Sequence, residues 1–361
     1  MGLTSRTTLW VLVALTVALP LAVLLGWPRV RGPRPVRAGQ RLALVALCQG
    51  VAVLLCFVAV NDHYVFFASW QDLLGKPVTP PPVVEAGGSR TTADGGRLLE
   101  IHSFTGPASG ITAPVLVVLP PQYDQPAYAH RRFPVVELLP GWHAYPTSWI
   151  NQLHLIDDLK ALESQQAVQP FIAVLPTLNV ALPRDTECTD VPGGPQAETW
   201  LATDVRRLVL DRFRALPGPA SWGAMGYSTG GYCAAKLALR HPQAFGSAVV
   251  ISGYFEAVRD STTGDLWGGS PARRQANDLL WRVRHLPNPP VHVLVFASKE
   301  DRDSYRSSAR FLRDARPPLR TASVLVPKGG HNLKVVRLAL PQLLRWLSSH
   351  LAGEPPATLH G

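Results

Sequence analysis

Acidic side chains are missing from the first sixty residues of this 361-residue chain, which hold Arg6, Arg29, Arg31, Arg34, Arg37 and Arg41 but no Asp or Glu. Six charges of the net +10 therefore belong to the N-terminal end. No basic strip interleaved with aromatic residues follows later, which argues against a nucleic-acid partner. Cysteine is also scarce: Cys48, Cys56, Cys188 and Cys233 are the four present, and none stands in a Cys-x-x-Cys or Cys/His spacing that would hold zinc. Cys48 and Cys56 lie in an apolar stretch, where they read as small apolar side chains. Cys188 and Cys233 come later in the chain, where an oxidising compartment would permit a disulfide, but spacing alone does not say whether their Cα atoms reach bridging distance. A repeat of fixed period is lacking too, which excludes a solenoid.

Two stretches contain no charge at all, Thr7 to Pro28 and Leu42 to Val60. Each is about the 20 apolar residues that a helix needs to cross the hydrocarbon of a bilayer. The arginine-rich segment between them is expected on the cytoplasmic side, because positive loops stay inside, so everything after residue 60 is expected outside the cell. The competing reading of the first stretch is a cleaved signal peptide, but it is long, has no clear A-x-A site and is followed by a second span. The expected organisation is a two-helix membrane anchor over residues 1–60, a juxtamembrane segment and Pro/Gly-rich linker over 61–90, a catalytic domain over 91–352 and a flexible tail over 353–361.

Within residues 91–352, strand-like apolar runs occur at 98–104, 115–119, 134–139, 171–175, 221–226, 247–252, 291–297 and 322–327. Helix-like segments occur near 198–214, 229–240, 302–314 and 333–350. Alternation of this kind predicts an α/β fold with a mostly parallel sheet and helices on both faces, since parallel strands need crossover connections. The first runs have no helix between them, which predicts an antiparallel start.

The sharpest local signal is Gly226-Tyr227-Ser228-Thr229-Gly230, set between a strand-like and a helix-like segment. In a strand, tight turn and helix bearing G-x-S-x-G, small residues two positions either side of the serine let backbones approach and lift Oγ toward substrate. A serine hydroxyl is a weak nucleophile, so a base and an orienting acid are needed downstream in the order Ser, Asp or Glu, His. The base is expected to be His331, in the glycine turn Lys328-Gly329-Gly330-His331-Asn332 ahead of the last helix. For the acid, Asp301 is favoured, Glu300 is its main rival and Asp303 a weaker one, all following the strand-like run at 291–297. The oxyanion donors are expected to be the backbone N–H groups of Thr229 and of Trp142, the latter in the loop after the run at 134–139. His130, His154 and His241 read as surface or loop residues. The segment 176–195, with Asp185, Glu187, Cys188 and Asp190, is a candidate border of the cleft.

Three separated motifs carry a family resemblance. Glu198-Thr199-Trp200-Leu201 followed by the run from Ser221 to Phe255, the loop Leu138 to Trp149, and the turn Lys328 to Asn332 together resemble the esterase family of α/β-hydrolases. That family includes esterase D-like enzymes and the secreted mycolyltransferases, and the resemblance spans roughly residues 98–350. It implies acyl transfer from an ester or acyl lipid through an acyl-serine, to water or to a sugar hydroxyl, with no metal or organic cofactor. The two N-terminal spans lie outside the family core and look like the tether of membrane-anchored esterases of high-GC Gram-positive bacteria. The sequence departs from the family at Pro140-Gly141, where a His-Gly pair is usual, and the mycolyltransferases use a glutamate as acid, which keeps Glu300 in play. The readings left open are an extracytoplasmic carboxylic-ester hydrolase, an acyltransferase to cell-envelope sugars, and a membrane-tethered binding protein without turnover.

Overall fold

The computed structural model describes residues 6–64, 89–91 and 96–354, so most of the expected linker and all but two residues of the expected tail lie outside the described residues. The chain separates into two compact units, Met1–Pro82 and Val83–Gly361.

The first unit is a helical hairpin of α1 (Arg6–Gly26) and α2 (Arg34–Tyr64), joined through a single 3₁₀ turn at Trp27–Arg29. α2 begins earlier than the apolar stretch does, taking Arg34, Arg37 and Arg41 into its first turns, and ends beyond residue 60. The turn is pinned by Arg41, whose guanidinium lies over the Trp27 ring at 4.7 Å and donates to the Trp27 carbonyl. Leu12 and Val58 form a small buried contact between the helices. Most other apolar side chains of the pair face outward, Leu25 and Leu42 being 72% and 70% exposed. A core helix of a water-soluble domain would bury such residues. Both segments, Thr7–Arg29 and Arg34–Asn61, are long and apolar enough to cross a membrane.

The second unit is built on one nine-stranded sheet of order β1-β2-β3-β5-β4-β6-β7-β8-β9. Its strands are β1 (Ser89–Thr91), β2 (Arg97–Thr105), β3 (Thr112–Leu119), β4 (Val135–Leu139), β5 (Ile172–Pro176), β6 (Trp222–Tyr227), β7 (Ser247–Ile251), β8 (His292–Ser298) and β9 (Arg320–Val326). β1, β2 and β3 pair antiparallel, β3 runs antiparallel to β5, and from β5 to β9 every pairing is parallel. All eight anticipated runs are strands. β1 is additional, and it places Ser89 and Arg90 in the sheet rather than in the linker.

Besides a single helical turn at Ser148–Asn151, the helices are α3 (Leu155–Ser164), α4 (residues 197–212), α5 (Thr229–Arg240), α6 (Pro271–Asn277), α7 (Leu279–His285), α8 (Arg302–Asp314) and α9 (Leu333–Ser349). α4 is interrupted by a π-turn at Trp200–Val205. The central strands are mostly apolar on both sides, because both sheet faces are covered. Odd residues of β4, Val135 and Leu139, enter a core with α4 and α5, while Val136 and Leu138 enter a second core with α3 and α9. Glu137 interrupts this pattern, wholly buried with neither carboxylate oxygen partnered. Burial pushes its pKa well above the usual range, against the pull of Arg206.

Candidate active site

β6 runs into α5 through Ser228, which adopts φ 57° and ψ −126°, a conformation that a non-glycine residue holds only when its surroundings dictate it. Here they do. The Ser228 N–H donates to the Ile251 carbonyl of β7, and the Ser228 carbonyl receives the N–H groups of Gly231 and Tyr232 in the first turn of α5. The flanking glycines are needed for space: a Cβ on Gly226 would lie 2.1 Å from the Gly230 carbonyl oxygen, and one on Gly230 would lie 2.3 Å from that of Leu139.

His331 reaches the serine from the far side of the sequence. After β9 the chain turns through Gly329 and Gly330 at φ 136° and 60°, both in the glycine region, and Asn332 then caps α9 by accepting the Val335 N–H. The turn leaves His331 Nε2 3.0 Å from Ser228 Oγ, and its Nδ1 2.7 Å from Asp301 Oδ2. His331 is half exposed, whereas the Asp301 side chain is only 10% exposed. The rival candidate, Glu300, accepts the Gly329 N–H at 2.8 Å through Oε2, in the turn that carries His331. Asp303 lies in the first turn of α8 and is exposed.

The loop after β4 closes over the serine. Gly141 packs so closely that a Cβ there would lie 2.9 Å from Tyr227 Cε2 and 3.3 Å from Ser228 Cβ. Asn179 donates to the Gly141 and Ala144 carbonyls at 3.0 and 2.7 Å, and the buried Tyr227 hydroxyl is 2.9 Å from Ser148 Oγ. Trp142 therefore sits at the bend of a clamped loop. Thr229, as the first residue of α5, has an N–H without an intrahelical acceptor.

The segment 182–190 forms a wall beside the elbow. Cys188 and Cys233 are joined in a disulfide with Cα atoms 5.9 Å apart, tying this wall to α5. Lys236, 1% exposed, donates to the Cys188 carbonyl and Thr189 Oγ1 at 2.8 and 3.0 Å and pairs with Glu198 at 3.2 Å. Glu198 also receives Arg240 and His241, each at 2.7 Å. Burial opposes its ionisation, but Lys236, the His241 hydrogen bond and Arg240 together outweigh burial and hold its carboxyl far below the usual range. His241, the loop residue that follows α5, is thus also the partner of a buried carboxylate. His154 does sit in a loop, pairing with Asp157.

Sequence reading missed Asn179, the Tyr227 hydroxyl and the pair Lys236–Glu198. Glu198 left a trace in the motif Glu198-Thr199-Trp200-Leu201, and Lys236 as the one cation in the otherwise uncharged run from Thr229 to Leu239. Among the described residues, no three His, Cys, Asp or Glu side chains converge as a metal site would require.

Comparison with known proteins follows the same outline. The chain is 24% identical over 243 residues to an uncharacterised protein of Corynebacterium glutamicum, covering 64% of this chain and 55% of that one, so it spans about half the length of the curated relative it matches. Among solved structures, an S-formylglutathione hydrolase from Agrobacterium tumefaciens superposes with a TM-score of 0.61 at 16% identity, covering 73% of this chain and 99% of that one. A ferulic acid esterase gives 0.60 at 19% identity over 71% and 98%. A substrate-bound fluorophosphonate-binding serine hydrolase of Staphylococcus aureus gives 0.57 at 17% identity over 70% and 98%. At these identities the likeness is one of fold, which is that of the α/β-hydrolases. The family model described as "Putative esterase" matches residues 108–340, and the chain belongs to that family.

Proposed function

We propose that the second unit is a serine carboxylic-ester hydrolase working through an acyl-Ser228 intermediate. The observation that carries this reading is the continuous line Ser228 Oγ, His331 Nε2, His331 Nδ1, Asp301 Oδ2, with links of 3.0 and 2.7 Å. Ser228 Oγ attacks the ester carbonyl carbon as its proton passes to His331 Nε2. The oxyanion is held by the N–H groups of Thr229 and Trp142. Collapse breaks the bond to the alcohol oxygen, which takes the proton back from His331 and leaves as the free alcohol. Water repeats the sequence on the acyl-serine and releases the acid. Asp301 accepts the Nδ1 hydrogen throughout, fixing the tautomer and steadying the imidazolium. Glu300 shapes the turn and is not the triad acid.

α1 and α2 anchor the chain in the cell membrane, with the hydrolase on the extracytoplasmic side. Two observations favour that side: the basic connection between the helices, and the Cys188–Cys233 disulfide, which persists in oxidising compartments.

The test uses the full chain in detergent micelles, with p-nitrophenyl esters of graded length and a fluorophosphonate label. A nitrophenol burst and serine labelling, both lost in Ser228→Ala, are the expected result. A folded protein with neither would leave a binding role. Product that depends on an added sugar would move the assignment from hydrolysis to acyl transfer.

A further inference from the structure

Behind the nucleophile elbow, four side chains from three segments form a line of short polar contacts. The Tyr254 hydroxyl lies against Glu187 Oε1 and 3.2 Å from Thr229 Oγ1. Thr229 Oγ1 lies 3.1 Å from Asp185 Oδ2. Asp185, Glu187 and Thr229 are buried, and Glu187 Oε2 has no partner at all. Asp185 and Glu187 are fastened in place, for Glu187 and Cys188 hold φ of 48° and 42° in the left-handed region, kept there by the disulfide and by Lys236.

Two hydroxyl hydrogens cannot fill three links, so one acid must carry a hydrogen, and the donor order Tyr254 to Thr229 to Asp185 puts it on Glu187. A phenol and an alcohol carry one hydrogen each, and an ionised carboxylate carries none. With both acids ionised, Tyr254 donates to Glu187 and Thr229 to Asp185, and no hydrogen remains for the contact between Tyr254 and Thr229. With a hydrogen on Glu187, each link has one: Glu187 to Tyr254, Tyr254 to Thr229, Thr229 to the Asp185 carboxylate. Three hydrogens then fill three links in a single direction.

We infer that Glu187 and Tyr254 are positioning residues of the acyl-transfer centre, ordering the Thr229 side chain through this one-way chain and keeping a second negative charge away from the oxyanion. The inference rests on the serine-hydrolase reading. Thr229 is the link because its backbone N–H is the proposed oxyanion donor and its side chain is the middle of the chain.

The surroundings of Glu187 agree. Burial and the neighbouring Asp185 push its carboxyl up to about 8, Asp260 adds to this, and the Tyr254 hydrogen bond and Lys236 oppose it. Asp185 is itself raised by burial, with the Glu187 N–H, the Thr229 hydroxyl and His143 opposing and Asp260 adding. Tyr232 and Tyr254, which also face Glu187, are pushed well above the ordinary phenol range, chiefly by burial, and keep their hydrogens. As pH rises through about 8, Glu187 loses its hydrogen. Tyr254 then turns from Thr229 to the new carboxylate, and a second negative charge appears beside the oxyanion site. Both changes disfavour the tetrahedral intermediate.

The experiment is the pH dependence of kcat/KM from pH 6 to 10 for the full chain in micelles, with fluorophosphonate labelling run in parallel. The wild type is expected to lose about tenfold or more on the alkaline side, the scale of removing part of one oxyanion interaction. Glu187→Gln, which donates to Tyr254 at every pH, is expected to lose that alkaline limb while keeping the acid one. Tyr254→Phe keeps the ring stacked on Tyr232 but removes the hydrogen bond that lowers the Glu187 pKa, so its alkaline limb is expected to move to higher pH. An unchanged alkaline limb in Glu187→Gln, or in Tyr254→Phe should the first variant not fold, overturns the inference and leaves the hydrolase reading standing. Absence of Ser228 labelling in the wild type sinks both.

Discussion

His331 Nε2 lies 3.0 Å from Ser228 Oγ although the two residues are 103 positions apart in the chain. The contact depends on strand order. β6, β7, β8 and β9 lie side by side and parallel, so the loop after each opens at the same edge of the sheet. Ser228 follows β6, Asp301 follows β8 and His331 follows β9, and the three meet without distortion of any strand.

Asp301 and Glu300 are expected to separate cleanly on substitution. Asp301→Asn leaves His331 without its acceptor and should lower kcat by about ten-thousand-fold, the scale known for loss of a triad acid. Glu300→Gln weakens only the bond to the Gly329 N–H, and a loss of tenfold or less is expected. Steady-state kinetics of the two variants decides it, and a larger loss in Glu300→Gln would reverse the assignment.

Glycine substitutions around the elbow should divide into those that stop folding and those that stop turnover. At Gly230 a Cβ would meet the backbone oxygens of Leu139 and Pro140 at 2.3 Å, so Gly230→Ala is expected to cost about 3 kcal/mol or more and to yield little folded protein. At Gly141 the clash is with the side chains of Tyr227 and Ser228, and Gly141→Ala should fold but lose roughly a hundredfold in kcat through displacement of the nucleophile. Circular dichroism beside burst kinetics distinguishes the two.

Removal of the disulfide tests how firmly the wall at 182–190 is held. Cys188 and Cys233 are 45 positions apart, for which chain-entropy reasoning gives about 4 kcal/mol. The double Cys→Ala variant should melt well below the wild type, and reductant should lower the melting temperature of the wild type alone.

The Glu198 cluster sets an acid limit on stability. A carboxyl held low in the folded protein contributes stability that is present above its ordinary value of 4.5 and is lost as pH falls toward the folded one. The melting-temperature gap between wild type and Glu198→Gln should therefore be widest near neutrality and shrink from pH 5 to pH 3. Lys236→Met leaves Glu198 buried with Arg240 and His241 alone, and a loss of about 3–5 kcal/mol is expected by denaturant melts.

The elements of the sheet were legible because parallel strands covered on both faces are nearly continuous apolar runs, as at residues 171–175. β1 was not legible: Ser89-Arg90-Thr91 carries no apolar signal and is a strand only because β2 offers it a free edge. The basic start of α2 was hidden for the opposite reason, since arginines mark the end of an apolar span but do not stop a helix.

The sequence by itself determined the tight turn at Ser228, the two glycines that carry His331 and the apolar hairpin at the N-terminus. Each is a local demand on backbone conformation or on hydropathy, written in adjacent residues. Only the tertiary structure put Asp301 rather than Glu300 within hydrogen-bond distance of His331, joined Cys188 to Cys233, and gathered Asp185, Glu187, Thr229 and Tyr254 behind the serine. Those outcomes turn on which way a side chain points at the end of a strand and on which loops a shared sheet edge brings together. Distances of a few ångströms between residues far apart in the chain have no local signature, because the packing of the whole domain sets them.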